Sequence, residues 1–216
     1  MLKKRLMNLS IFIIAILVSG YVVYDYILKE SSRNDQRIEE YLSTGGIENR
    51  DEEVSYSESE EIGPYPGRIA PNFTLPSWDE SSEISLHDYR GNFVIMNAWA
   101  SWCGPCKDEI PYLIDFHENY AEEDVEVLGV NLTNTETSKS SAIAFINDFN
   151  IPYDIAMDVE GFVEKEYLIV SLPMTFVIDP DGRTIIRKVG YMNYEQIIAL
   201  YEEAQEIYYN EGDSKG

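Results

Sequence analysis

The chain has 216 residues, 44% hydrophobic and 25% charged, and carries a formal net charge of −23. That length holds one globular domain plus additional segments, and the acidity excludes roles that depend on gripping nucleic-acid phosphates. The 2 cysteines, separated only by Gly104 and Pro105, cannot build a disulfide framework or a four-thiolate zinc site, and the 2 histidines, His87 and His117, lack zinc-finger spacing.

Residues 1–8 are basic, with Lys3, Lys4 and Arg5 preceding a nearly uninterrupted apolar run. Residues 9–28 are long enough to cross a hydrocarbon core as a helix, and the basic flank predicts a cytoplasmic N-terminus with the rest of the chain outside a bacterial cell membrane. Tyr21, Tyr24 and Tyr26 suit the outer interface. A cleaved signal peptide is the competing reading, although Val18-Ser19-Gly20 is a weak cleavage pattern and no cysteine follows that could take a lipid. Residues 29–62 are acidic and serine-rich, with little apolar surface to bury, and are expected to form a disordered, self-repelling tether.

The folded domain is predicted over residues 63–210, followed by a flexible tail at 211–216. Phe73–Leu75 and Glu83–Leu86 read as a hairpin, and Phe93–Ala98 as a buried strand. Ile110, Leu113, Ile114, Phe116, His117 and Tyr120 make an apolar helical stripe after the cysteines. A second buried strand spans Val125–Val130, and Ala142, Phe145, Ile146 and Phe149 repeat at helical spacing. Met174–Ile178 and Thr184–Val189 are strands joined by the turn Asp179-Pro180-Asp181-Gly182. Asn193 and Gln196 form a capping pair that opens a last helix. This order implies an α/β fold with a central mixed sheet and helices on both faces.

Trp102-Cys103-Gly104-Pro105-Cys106 falls at the junction of a buried strand and a helix. Free N–H groups at a helix start stabilise a thiolate at Cys103, and thiolate is the attacking species in exchange. Cys106, one turn later on the same face, can resolve the mixed disulfide so formed. Pro105 suits the first turn, where its missing N–H costs little. The bland alternative is an inert staple across a turn. Redox chemistry by the pair alone requires neither cofactor nor metal.

Trp-Cys-Gly-Pro-Cys-Lys resembles the motif of the thioredoxin superfamily, and the wider chain is similar to its TlpA/ResA-like branch of exported, membrane-anchored thiol–disulfide oxidoreductases. Ala70–Leu75 resembles that branch's opening strand, Leu86–Gly91 its lead into the central strand, and Thr135–Asp158 its αβ insertion. The resemblance implies a thioredoxin-like fold with an N-terminal β-hairpin. It implies that Pro173 is a cis-proline facing the cysteines, that Leu172 offers backbone groups to substrate beside Trp102, Gly104 and Pro105, and that Pro111 kinks the helix. Glu109 matches an acidic residue near the active site that could exchange a proton with Cys106, with a solvated helix-face glutamate as the alternative. Asn97 stands where plain thioredoxin carries a buried aspartate. Gly104 departs from the Glu or Pro of several relatives, so their potentials do not transfer. The two histidines are expected to be packing or surface residues.

The expected activity is a disulfide reductase acting on exported proteins, with apocytochrome c as the leading candidate and a membrane electron relay of the CcdA/DsbD type as donor. An oxidase or isomerase, or an electron donor to a repair enzyme, would use the same dithiol, because potential sets direction. A non-catalytic assembly module using the cis-proline groove is the alternative of another class.

Overall fold

The computed structural model describes residues 59–213. The basic N-terminus, the predicted span at 9–28 and most of the tether lie outside that range. Among the described residues no helix is long and apolar enough to cross a membrane. In chain order the elements are β1 (Ser59–Ile62), β2 (Arg68–Ile69), β3 (Thr74–Pro76), β4 (Glu83–Ser85), β5 (Phe93–Trp99), α1 (Gly104–Asn119), β6 (Val125–Asn131), α2 (Lys139–Phe149), β7 (Asp154–Met157), α3 (Phe162–Glu166), β8 (Met174–Ile178), β9 (Thr184–Val189) and α4 (Tyr194–Asp213).

Every residue of β5 is buried, Asn97 included, as befits a largely apolar strand covered on both faces. It lies at the centre of a sheet ordered β7-β6-β5-β8-β9. β5, β6 and β7 are parallel, and β8 is antiparallel to both of its neighbours. Alternation along the strands builds two cores. Phe93, Ile95, Val127 and Val177 meet Ile110, Leu113 and Phe116 of α1, Phe145 and Ile146 of α2, and Ile197 and Tyr201 of α4. Val94, Met96, Leu128 and Phe176 face the other way, onto Leu75 and Ile84 of the β3–β4 hairpin and Val163 of α3. The architecture agrees with the mixed, thioredoxin-like sheet implied by the resemblance, and the insertion supplies α2 and the parallel edge strand β7.

The local signals act as their chemistry directs. Asn193 and Gln196 form a reciprocal capping box at the head of α4: the Asn193 N–H donates to Gln196 Oε1 at 3.0 Å and the Gln196 N–H to Asn193 Oδ1 at 2.9 Å. In the turn between β8 and β9, Asp179 Oδ1 accepts the Arg183 N–H at 2.7 Å, and Gly182 takes φ +77°.

Two boundaries and one short helix differ from the sequence expectation. Ser59–Ile62, placed in the predicted tether, forms β1, where the acidic side chains meet cations supplied by the fold. Glu61 pairs with Arg68 at 2.9 Å and Glu60 with Arg183 at 3.0 Å, while the Arg183 guanidinium also donates to the Ser59 carbonyl. At the other end α4 continues past residue 210 to Asp213. The short α3 had no sequence signal, since five residues carry no helical periodicity. It is held by buried Asp158, whose carboxylate accepts the N–H groups of Phe162 and Glu164 at 2.8 and 3.0 Å.

Candidate active site

β5 ends at Trp99, and four residues later Cys103 caps α1 from an extended conformation, φ −79° and ψ 110°. Its N–H donates back to the Ala100 carbonyl at 3.1 Å, closing the turn between strand and helix. The Cys106 N–H then points at Cys103 Sγ, 3.2 Å away. This is the N-cap position, where a helix presents unpaired N–H groups, so a negative sulfur there is stabilised by a directed donor as well as by the helix dipole. Cys103 and Cys106 are joined as a disulfide with Cα atoms 5.3 Å apart. Cys103 is 4% exposed and Cys106 1%, so Cys103 is the sulfur nearer to solvent.

Gly104 and Pro105 lie exposed in the first turn. A Cβ at Gly104 would meet nothing within 4 Å, so this position can vary without steric cost to the helix. Trp102 is 58% exposed, with its indole N–H tied to the Thr135 carbonyl at 3.1 Å. Pro111 lies inside α1, where it supplies no N–H to the helical ladder.

The Leu172–Pro173 peptide bond is cis. Met174, the next residue, opposes Ala98 across the β5–β8 ladder, which places this bond at the same end of the sheet as the cysteines. Leu172 is half-buried and packs against the core cluster that contains Cys103 and Cys106.

Glu109 is fully buried, so the reading of it as a solvated helix-face residue does not hold. It lies three residues beyond Cys106 on α1, hence on the same helix face. Asn97 of β5 donates to Glu109 Oε2 at 2.9 Å and to Thr175 Oγ1 of β8 at 3.0 Å. The Met192 N–H, from the segment between β9 and α4, donates to Glu109 Oε1 at 2.8 Å. Burial pushes the Glu109 carboxyl up to about 7, against the lowering effect of the Met192 and Asn97 hydrogen bonds. Both donors are uncharged, so they satisfy the oxygens without a cation to lock the carboxylate in its ionised form. Met192 contributes a backbone amide, for which no side-chain signal exists in the sequence. The histidines lie apart from this arrangement: His87 is exposed, and His117 packs its ring 5.7 Å from that of Tyr153.

The sequence reading also missed a second carboxylate. Glu136, in the insertion, accepts from the Ser101 N–H at 2.6 Å and from the Ser101 hydroxyl at 2.5 Å. Asn131 Nδ2 donates to the same Oε1 at 2.8 Å.

Residues 66–188 match the AhpC/TSA family. The chain is 32% identical over 131 residues to the thiol-disulfide oxidoreductase ResA of Bacillus thuringiensis subsp. konkukian, an alignment covering 61% of this chain and 73% of that protein. It is 32% identical over 143 residues to the thioredoxin-like protein YneN of Bacillus subtilis, covering 66% and 82% respectively. The crystal structure of StoA from Bacillus subtilis superposes with a TM-score of 0.54 at 30% identity, over 60% of this chain and 95% of that one.

Proposed function

We propose that this chain, which belongs to the AhpC/TSA family and is a thiol–disulfide oxidoreductase of the ResA and StoA type, works as a reductase of disulfides in exported proteins. One observation carries the reading: Cys103 caps α1, and its disulfide partner Cys106 stands one turn from the buried carboxyl of Glu109, whose affinity for a proton is poised near neutrality.

In the dithiol state the Cys103 thiolate attacks one sulfur of a substrate disulfide. A Cys103–substrate S–S bond forms, the substrate S–S bond breaks, and the departing thiolate takes a proton from water. Cys106 gives its proton to the Glu109 carboxylate, and the resulting thiolate attacks Cys103 Sγ. The second substrate sulfur leaves, and the Cys103–Cys106 disulfide closes. The substrate has then gained two electrons and the protein has lost two, which an external dithiol must return. An ordinary thiol titrates at about 8.5, so a carboxyl raised to about 7 accepts its proton at far smaller cost than one at 4.5. The exposed Trp102 face, Gly104, Pro105, and the backbone of Leu172 beside Pro173 supply the surface on which the substrate segment lies.

The reading includes a membrane anchor at residues 9–28, a catalytic domain outside the cytoplasm, apocytochrome c as the leading substrate and a membrane electron relay as donor. The sequence of the N-terminal segment and the resemblance support these points.

The test is the reduction potential of the full chain in defined thiol–disulfide buffers. A value near −270 mV, in the thioredoxin range, supports a reductase, whereas one near −120 mV makes the protein an oxidant and removes the reading. In parallel, Cys106→Ala should trap substrate on Cys103 as mixed disulfides, and Cys103→Ser should trap none.

A further inference from the structure

Two residues, Ser101 and Trp102, connect the last turn after β5 to Cys103, and their polar groups are collected by one stretch of the insertion. Ser101 gives both its N–H and its hydroxyl to the Glu136 carboxylate, and Trp102 gives its indole N–H to the carbonyl of the preceding residue, Thr135. Glu136 is itself steadied by Asn131 Nδ2, at the end of β6, and the Asn131 side-chain oxygen accepts from the Thr133 hydroxyl at 2.9 Å. The chain thus forms a closed set of bonds from the end of β6, through the 3-10 turn Thr133–Thr135, to the residue immediately before the attacking cysteine.

We infer that Glu136 is a positioning residue for the dithiol, fixing Ser101 and Trp102 against the insertion and setting the stability of the Cys103 thiolate with its charge. The inference rests on the exchange chemistry proposed above. Two physical effects are involved. Trp102 is more than half exposed, so packing alone leaves its ring free to turn, and the ties to Thr135 and Ser101 hold that ring beside Cys103. The second effect is electrostatic. Glu136 takes part in none of the ion pairs among the described residues, and its bonds there are to the uncharged groups of Ser101 and Asn131. A carboxylate bonded to the residue two positions before Cys103 opposes the thiolate that the Cys106 N–H favours. Destabilising the thiolate disfavours the reduced form and makes the dithiol a stronger reductant, the reverse of the effect that makes a stabilised reduced form oxidising.

The experiment uses the full chain with Glu136→Gln and Glu136→Ala. Glutamine keeps an oxygen for the Ser101 and Asn131 donors and an amide that the Ser101 hydroxyl can accept from, so it removes charge while preserving the grip. Three quantities are read: the pH dependence of Cys103 alkylation, the equilibrium with glutathione, and the rate of insulin reduction. Glu136→Gln should lower the Cys103 pKa by about one unit. It should also shift the glutathione equilibrium toward the dithiol by about tenfold, or ~30 mV, with insulin reduction within threefold of the parent. Glu136→Ala should show the same two shifts and also reduce insulin about tenfold more slowly than Glu136→Gln, because Trp102 is released. Parental alkylation and glutathione equilibria in both variants, even with a lower unfolding midpoint, would overturn the inference and leave Glu136 a merely structural residue. If the alanine variant does not fold, Glu136→Gln alone decides. Should the parent reduce no insulin while the two shifts in Glu136→Gln appear, the reductase reading fails and the role of Glu136 stands.

Discussion

At the end of the sheet where β5 stops and β8 begins, the buried carboxyl of Glu109 is bonded only to uncharged donors, Asn97 and the Met192 amide. At the opposite end, where β5 begins and β8 stops, acidic groups meet arginines or local amides. Glu60 and Glu61 pair with Arg183 and Arg68, and Asp179 accepts the Arg183 N–H. The far end uses charge for adhesion: Arg183 reaches the carbonyls of Ser59 and Gly67 and ties β1 and the turn after it to the start of β9. At the dithiol end no ion pair among the described residues includes Glu109, so the cost of burying an ionised oxygen is offset only in part by the Asn97 and Met192 hydrogen bonds, and what remains holds a proton near neutral pH. The same side-chain chemistry therefore produces attachment where it is neutralised and a raised proton affinity where it is solvated by dipoles alone.

The largest effect that would sharpen this contrast belongs to Glu109→Gln. Removing the proton acceptor should slow resolution of the mixed disulfide by about 10²-fold, a typical contribution of a positioned acid–base group. Stopped-flow measurement of disulfide closure checks it, and an unchanged rate would separate Glu109 from the chemistry. The same variant tests the stability side. A carboxyl raised from 4.5 unfolded to about 7 folded binds its proton more tightly in the native state. Its contribution to stability is therefore fully present below pH 4.5 and lost as pH rises through 7, a change on the order of 3 kcal/mol. Urea unfolding of the oxidised parent at pH 5 and pH 8 should show that loss, and the glutamine variant should lack it.

Arg183→Ala probes the far end. Losing bonds from a cation to two carbonyls and Glu60 should cost about 2 kcal/mol, read as a lower urea midpoint. The reduction potential should stay at the parental value, since distant sites act independently. A shifted potential would break the comparison, because it would show the two ends to be coupled. The smallest effect is expected for Asn193→Ala, which deletes one arm of the capping box on α4 and should cost about 1 kcal/mol. Its interest lies in proximity to Met192: a change in the Glu109 pH profile would mean that the cap also fixes the amide above that carboxyl.

Apart from the short α3, the elements governed by local interactions were announced by the chain. The dithiol and its helix-capping cysteine, the turn from Asp179 to Gly182, the Asn193–Gln196 box and the bounds of β8 and β9 all depend on residues a few positions apart, so composition and spacing carry them. The compact buried run of β5 and the helical stripe of α1 were legible for the same reason, because each pattern belongs to a single element. The tertiary structure alone decided which acids are neutralised and which are not. Glu109 takes its partners from 12 and 83 residues away, Ser101 meets Glu136 across 35, and Arg183 meets Glu60 across 123. No local pattern encodes such pairings. They arise when strands from separate parts of the chain are set side by side, and the solvation each carboxyl then loses or keeps determines whether it stays ionised as a fastener or holds a proton near neutral pH.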